Sequence, residues 1–259
     1  MSEGFLSLRG VGFAANGRTI LSDIYLDVQA GRVCGLVGPN GSGKSTLLKI
    51  LARQVMATSG GIVWGGKASS AWSKRAFARH VAYMPQFTPR ADGMTVRELV
   101  ALGRFPWHGT LARFSDADHQ AIDAAMKRTD LSSFADRRVD NLSGGERQRA
   151  WIAMMLAQDA RCLILDEPTS ALDLSHQTGV LSLVRTLAQE RQLTVIVVLH
   201  DINLAARYCD TITALSAGRI LMTGDAKEIM RSDVLKRIFG VDMGVFEHPQ
   251  HQLPVSYVL

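Results

Sequence analysis

"VCGLVGPNGSGKSTLLKILARQ", residues 33–54, decides the fold. Val33 to Val37 form a short apolar run before a glycine-rich loop, the pattern of a buried strand. "STLLKILARQ" (45–54) has helical periodicity. Between strand and helix, Gly38, Pro39, Asn40, Gly41, Ser42, Gly43, Lys44 and Ser45 satisfy G-x-x-x-x-G-K-[ST] in full, with Thr46 following. Glycines let backbone N–H groups curl around a phosphate at a distance that a Cβ would block. The helix that starts near Lys44 aims its positive end at the same phosphates. Lys44 can reach the outer phosphate oxygens as a point charge, and Ser45 is suited to Mg²⁺. The expected ligand is a nucleoside triphosphate with Mg²⁺.

Working outward, "CLILDEPTSALD" (162–173) sets Asp166 and Glu167 at the end of an apolar strand. Buried acids are costly unless they meet a cation or a hydrogen-bond donor. Asp166 is placed to hold Mg²⁺, directly or through water. Glu167 faces the γ-phosphate, where a base that polarises water contributes about 10²–10⁴ in rate. His200 closes the apolar run "TVIVVLH", and Gln86 closes "VAYMPQ". In a parallel sheet, ligands gather at the carboxyl ends of the strands. Four such ends therefore converge on one site.

A second polar stretch, "LSGGERQR" (142–149), stands about a hundred residues beyond the first loop. Ser143 and Glu146 have capping-box spacing around Gly144 and Gly145. The segment is either a plainly capped helix or a second grip for an anion at a helix N-terminus.

The organisation follows the same signals. Residues 5–29 alternate around a turn at Asn16 to Arg18 and read as two antiparallel strands. Residues 88–158 read as an inserted helical subdomain, with Thr95 and Glu98 in a further capping-box relation. After it, strand and helix alternate again, and "TITALSAGRILMTGD" reads as a hairpin turning at Ala217-Gly218. The expected fold is α/β: a mostly parallel sheet core (1–87 and 159–240, including an antiparallel β subdomain), the helical insertion, and a short tail (241–259) without a readable motif.

The chain has 259 residues and a net charge of +5, a basic balance that suits an anionic partner. Cys34, Cys162 and Cys209 show no metal-ligand spacing and read as reduced thiols. No basic-then-apolar leader is visible, and no apolar run approaches the roughly 18–20 residues of a membrane helix. Work at a membrane would therefore go through a partner.

"LSGGERQR" resembles the signature of ATP-binding-cassette (ABC) ATPases. Its companions stand in the order of that family: phosphate loop, Gln86, signature, "LILDEP", "SALD" (170–173) and His200. The resemblance spans essentially the whole chain and implies a P-loop NTPase of the ABC type that binds ATP and Mg²⁺. It implies Glu167 as general base, His200 as γ-phosphate sensor, Lys44 on the phosphates, and Ser45, Gln86 and Asp166 around Mg²⁺. It further implies that two copies pack head to tail, with Ser143, Gly144, Gly145 and Glu146 of each closing over the other's ATP and Asp173 at the seam. In that arrangement one grip serves the chain's own nucleotide and the other serves its partner's. Many relatives stack an aromatic ring on adenine where this chain has Ala15, with Phe13 two residues earlier, so the hold on the base is left open.

A narrower resemblance rests on "GMTVRELVALGRFPWHG" (93–109), "LSGGERQRAWIAMMLAQD" and "LHDINLAARYCD". These are similar to the ATPases of bacterial importers for iron–siderophore chelates, cobalamin and haem, and most of all to the ferric-hydroxamate group. The implied partners are an integral membrane permease, with Arg104–Trp107 near it, and indirectly a substrate-binding protein. Nucleic acid is not expected. The implied location is peripheral, on the cytoplasmic face of the inner membrane. A cobalamin or haem importer, a soluble non-transport ABC ATPase and a nucleotide-dependent binding module without turnover are the alternatives. The regulatory C-terminal domain of some sugar-importer relatives is not expected.

Overall fold

The computed structural model describes residues 4–108, 113–170 and 172–259. Gly109 of the "PWHG" stretch and Ala171 of "SALD" lie outside the described residues.

The strands Val33–Val37, Cys162–Leu165 and Thr194–Val198 are buried at every residue. That is why they read as unbroken apolar runs: each sits inside a parallel sheet covered on both faces. The six-stranded sheet runs Arg219–Gly224, Thr211–Ser216, Val33–Val37, Thr194–Val198, Cys162–Leu165, Val81–Met84. Every adjacent pair is parallel except the first, which is the hairpin turning at Ala217 and Gly218. Both turn residues have positive φ, 45° and 75°, as the tight turn requires.

Successive side chains point to opposite faces of this sheet and separate two cores. Leu163, Leu165, Val195 and Val197 join the core beneath the helices. Cys162, Ile164, Ile196 and Val198 join the core shared with the helix Lys44–Leu51 and the antiparallel sheet. That second sheet runs Arg18–Val28, Leu6–Ala15, Ser59–Trp64, Lys67–Ala68. All three cysteines are buried and free.

The described part of 88–158 is built mainly of helices. Val96–Ala101, Asp116–Arg128 and Gly144–Ala157 are the principal helices, and the extended pairing among the described residues there is one bridge, Thr95 to Arg138. Both expected capping boxes are present, at Thr95/Glu98 and Ser143/Glu146. A buried ion pair ties this region together. Arg104 Nε donates to Asp118 Oδ1 at 2.8 Å and its Nη1 donates to the Ala157 carbonyl at 2.7 Å. The guanidinium groups of Arg79 and Arg104 lie 4.5 and 5.0 Å from the Trp107 ring, whose indole N–H donates to the Gln158 carbonyl at 2.8 Å. Gln158 Nε2 in turn donates to the carbonyls of Ala78 and Val81, at the start of the strand that leads to Gln86. The helical region is thus bonded to the strand that feeds the site.

The tail forms a two-stranded antiparallel sheet, Met243–Glu247 with Pro254–Val258. Among the described residues no helix is long and apolar enough to cross a membrane.

Burial pushes the Asp118 carboxyl up, but hydrogen bonds from Ser115, His108 and Arg104 prevail and hold it well below the usual carboxylate range. A depressed carboxylate stabilises the fold above its unfolded value near 3.9 and loses that contribution as pH falls through the folded value. Asp118→Ala strands Arg104 as a buried charge, so it should cost about 3–5 kcal/mol in urea denaturation at neutral pH, and the gap to wild type should shrink below about pH 3.9. A loss under about 1 kcal/mol would contradict this account of the helical region.

Candidate nucleotide site

The strand Val33–Val37 ends at Gly38, whose φ is 142°; a Cβ there would run into the Leu215 carbonyl of the neighbouring strand. Gly41 and Gly43 also have positive φ, 75° and 102°. With Gly43 as N-cap, the helix Lys44–Leu51 begins directly after the loop. The hairpin turn braces the loop: Gly218 N donates to the Ser42 carbonyl at 3.1 Å, and the Gly218 carbonyl accepts from Ser22 N at 2.9 Å.

Lys44 is 5% exposed. Its Nζ donates to the carbonyls of Gly38 and Pro39 at 2.8 and 2.9 Å, and among the described residues no carboxylate forms an ion pair with it. Burial pulls its pKa down, while the charges of Glu167 and Asp166 pull it back up. The Ser42 hydroxyl is buried without a hydrogen-bond partner among the described residues. A buried cation held only by carbonyls, beside an orphaned hydroxyl and glycines that keep the backbone bare, fits a phosphate ligand.

Asp166 is 2% exposed and accepts from Ser45 Oγ at 3.0 Å. Burial pushes its carboxyl up, the Ser45 hydrogen bond opposes this, and the neighbouring Glu167 charge adds to the rise. A desolvated carboxylate bonded to the phosphate-loop serine fits Mg²⁺.

Glu167 follows in the left-handed region, at φ 51°. A non-glycine residue there carries backbone strain of about 1–3 kcal/mol, and such strain clusters at active sites. The turn aims the carboxylate at two partners: Gln86 Nε2 donates to Oε2 at 2.6 Å, and His200 Nε2 lies 2.7 Å from Oε1. Three strand ends read from the sequence are therefore brought together on one carboxylate. The loop, Gln86, Glu167 and His200 line one cavity of about 530 Å³.

Ser143–Glu146 and Asp173 do not line that cavity among the described residues. Ser143 Oγ accepts from Glu146 N at 3.3 Å, and Glu146 Oε2 accepts from Ser143 N at 2.8 Å. Gly145 packs against the His176 ring, which occupies the space a Cβ would need. Asp173 caps the helix Leu174–Arg191, accepting from His176 N at 2.9 Å.

Sequence reasoning missed Ile20, the one large apolar side chain among the described residues lining the cavity. It comes from the strand Arg18–Val28, where no motif marks it. Phe13 packs instead against the core beneath the antiparallel sheet.

The family model described as ABC transporter matches residues 21–170. The iron(3+)-hydroxamate import ATP-binding protein of Bacillus subtilis is 39% identical over 96% of this chain and 93% of its own length. Among solved structures, an inward-facing transporter assigned to the metal-chelate type superposes with a TM-score of 0.87 at 28% identity, over 99% of this chain and 98% of its own. The cassette MJ0796, as a dimeric post-hydrolysis state bound to ADP and Pi, gives 0.73 at 26% identity, over 85% of this chain and 98% of its own.

Lys44→Ala removes the buried cation and its desolvation cost together. ATP binding, read by calorimetry, should be lost, while the thermal midpoint stays within about 4 °C of wild type. Retained affinity would remove Lys44 from the site.

Proposed function

The chain belongs to the ABC transporter family of ATPases, and we propose that it is the ATP-hydrolysing subunit of an inner-membrane importer for an iron(III)–siderophore of the hydroxamate type. The observation that carries this reading is Glu167, held at positive φ between Gln86 and His200 behind a buried, carbonyl-held Lys44.

In this reading Lys44 exchanges the Gly38 and Pro39 carbonyls for β- and γ-phosphate oxygens. Loop N–H groups from Gly41 to Thr46 hold the same phosphates. Ser45, Asp166 and Gln86 would hold Mg²⁺, which when bound would offset charge on the phosphate oxygens. Glu167 accepts a proton from the water that attacks the γ-phosphorus, as the bond to the β–γ bridging oxygen breaks and ADP leaves. His200 donates to a γ-phosphate oxygen and reports its presence. Ile20 supplies apolar contact beside the phosphates, in a chain with Ala15 at the usual stacking position.

A second copy completes the site: its Ser143, Gly144, Gly145 and Glu146 close over the γ-phosphate, with Asp173 at the seam. The separation of the signature from the chain's own cavity and the dimeric relative both support this. A membrane permease docks on the helical region. Arg104 is buried and Trp107 is half-buried, so among the described residues the exposed large apolar groups there are Leu102, Phe105 and Phe114, with Phe87 beside Gln86. The chain then sits on the cytoplasmic face, while a substrate-binding protein delivers the chelate to the other side of the permease.

Deleting the gene should abolish growth on a ferric hydroxamate as sole iron source. The wild-type chain should restore that growth, and Lys44→Ala should not. Intact growth on the hydroxamate, with loss confined to cobalamin or haem use, would overturn the cargo.

A further inference from the structure

The tail 241–259 carries no motif, yet it is bonded to the loop that bears His200. Asn203 makes three hydrogen bonds with one residue of the last strand. Its Oδ1 accepts from Ser256 N at 2.8 Å and from Ser256 Oγ at 3.1 Å, and its Nδ2 donates to the Ser256 carbonyl at 3.1 Å. An asparagine side chain that satisfies both backbone groups of one residue acts like an added strand segment. Ser256 is only 6% exposed, so these bonds are shielded from water.

The other side of Asn203 reaches the site. Its backbone N–H donates to Asp201 Oδ1 at 2.7 Å, and Leu204 N donates to the same oxygen at 3.3 Å. Asp201 is the N-cap of the helix Ile202–Tyr208, and the residue before it is His200. His200 is 46% exposed and lies 2.7 Å from Glu167. A groove of about 330 Å³ opens between His200–Asn203 and the hairpin, walled by Phe239, Met243 and Tyr257. The hairpin is itself anchored, since Met243 and Val245 pack against the main core and Leu259 N closes on the Asp242 carbonyl at 3.1 Å.

We propose that Asn203, gripped by Ser256, is a positioning residue for His200, and that the C-terminal hairpin is the brace that fixes the His200–Asp201 turn against Glu167. The inference rests on the ATPase reading. A half-exposed histidine that must meet a phosphate oxygen within hydrogen-bond distance needs its backbone fixed from outside. Here the fixing comes from chain beyond the last sequence motif. Misplacing such a group by a fraction of an ångström lowers turnover while leaving the phosphate loop, and with it ATP affinity, intact.

The test uses the full chain and three variants: Asn203→Ala removes all three bonds, Asn203→Asp keeps the acceptor for Ser256 N and Oγ, and Glu247→Ala alters the hairpin away from the clamp. Asn203→Ala should lower kcat by about 10-fold or more, with KM for ATP within about 2-fold of wild type. The thermal midpoint should hold. Asn203→Asp keeps two bonds but sets a carboxylate oxygen against the Ser256 carbonyl, so its kcat should fall between Asn203→Ala and wild type, and Glu247→Ala should show no loss. In the nucleotide-free protein, the His200 ring resonances should shift in Asn203→Ala and not in Glu247→Ala. If Asn203→Ala proves unstable, Ser256→Ala removes one bond of the three and should give a smaller fall in kcat at unchanged KM. Unchanged kcat in folded Asn203→Ala, an equal fall in Glu247→Ala, or unmoved His200 resonances would each overturn the brace. Absence of Lys44-dependent hydrolysis in the wild type would overturn the ATPase reading instead, and the His200 resonances would then decide the brace alone.

Discussion

A lysine ammonium held out of water, with carbonyl oxygens as its only bonded partners among the described residues, is the constraint on which this structure turns. Burying a cation is costly, and its pKa falls accordingly. The loop that holds Lys44 is fixed from outside: Gly38 lies too close to the Leu215 carbonyl for any side chain, and the Ala217-Gly218 turn is bonded to Ser42. The antiparallel sheet contributes through Ser22 and Ile20. Two separate parts of the chain, the hairpin at Leu215–Gly218 and the antiparallel sheet, therefore meet at one loop whose shape has positive charge and bare backbone to spare. A triphosphate supplies what the loop lacks.

The same economy governs the acids. Asp166 and Glu167 are neighbours in sequence with different environments. Asp166, just past the strand, donates its N–H to the Met84 carbonyl at 3.0 Å and accepts from Ser45. Glu167 is turned by its positive φ toward Gln86 and His200. One backbone kink thus separates a carboxylate bonded to the phosphate-loop serine from one bonded to Gln86 and His200. Gln86 connects this point to the rest of the molecule, because its strand begins where Gln158 bonds Ala78 and Val81, and Gln158 also holds Trp107. A displacement at Gln86 has a bonded route to the exposed Phe105 surface.

What was legible in the sequence was whatever depends on local chemistry. The phosphate loop, both capping boxes, the Ala217-Gly218 turn and the fully buried strands follow from residue type and spacing alone. The strand Ser59–Trp64 was not read, because Gly60 and Gly61 break its alternation; Gly60 sits at φ 80° against the backbone of Gly10. The helix Lys74–Ala78 is too short to show a period. The tail hairpin has no pattern of its own, since its fixed point is a long-range bond to Asn203. Within the site, residue identities were legible and their mutual geometry was not. The sequence placed Gln86, Glu167 and His200 at three strand ends, but their meeting on one carboxylate depends on strand order. Ile20 left no signal, being an ordinary apolar residue of a sheet strand.

The central claim is that the two polar grips of one chain serve two different nucleotides. Glu167→Gln keeps size and hydrogen bonding but removes the base, so a closed pair should outlast the normal cycle. Size-exclusion chromatography of Glu167→Gln should show a dimer with ATP and Mg²⁺ and a monomer with ADP, and adding Ser143→Arg should abolish the ATP-dependent dimer while leaving single-chain ATP binding in place. A Glu167→Gln protein that stays monomeric with ATP at high concentration, together with Ser143→Arg hydrolysing ATP at the wild-type rate, would contradict the claim and leave "LSGGERQR" as a capped helix and nothing more.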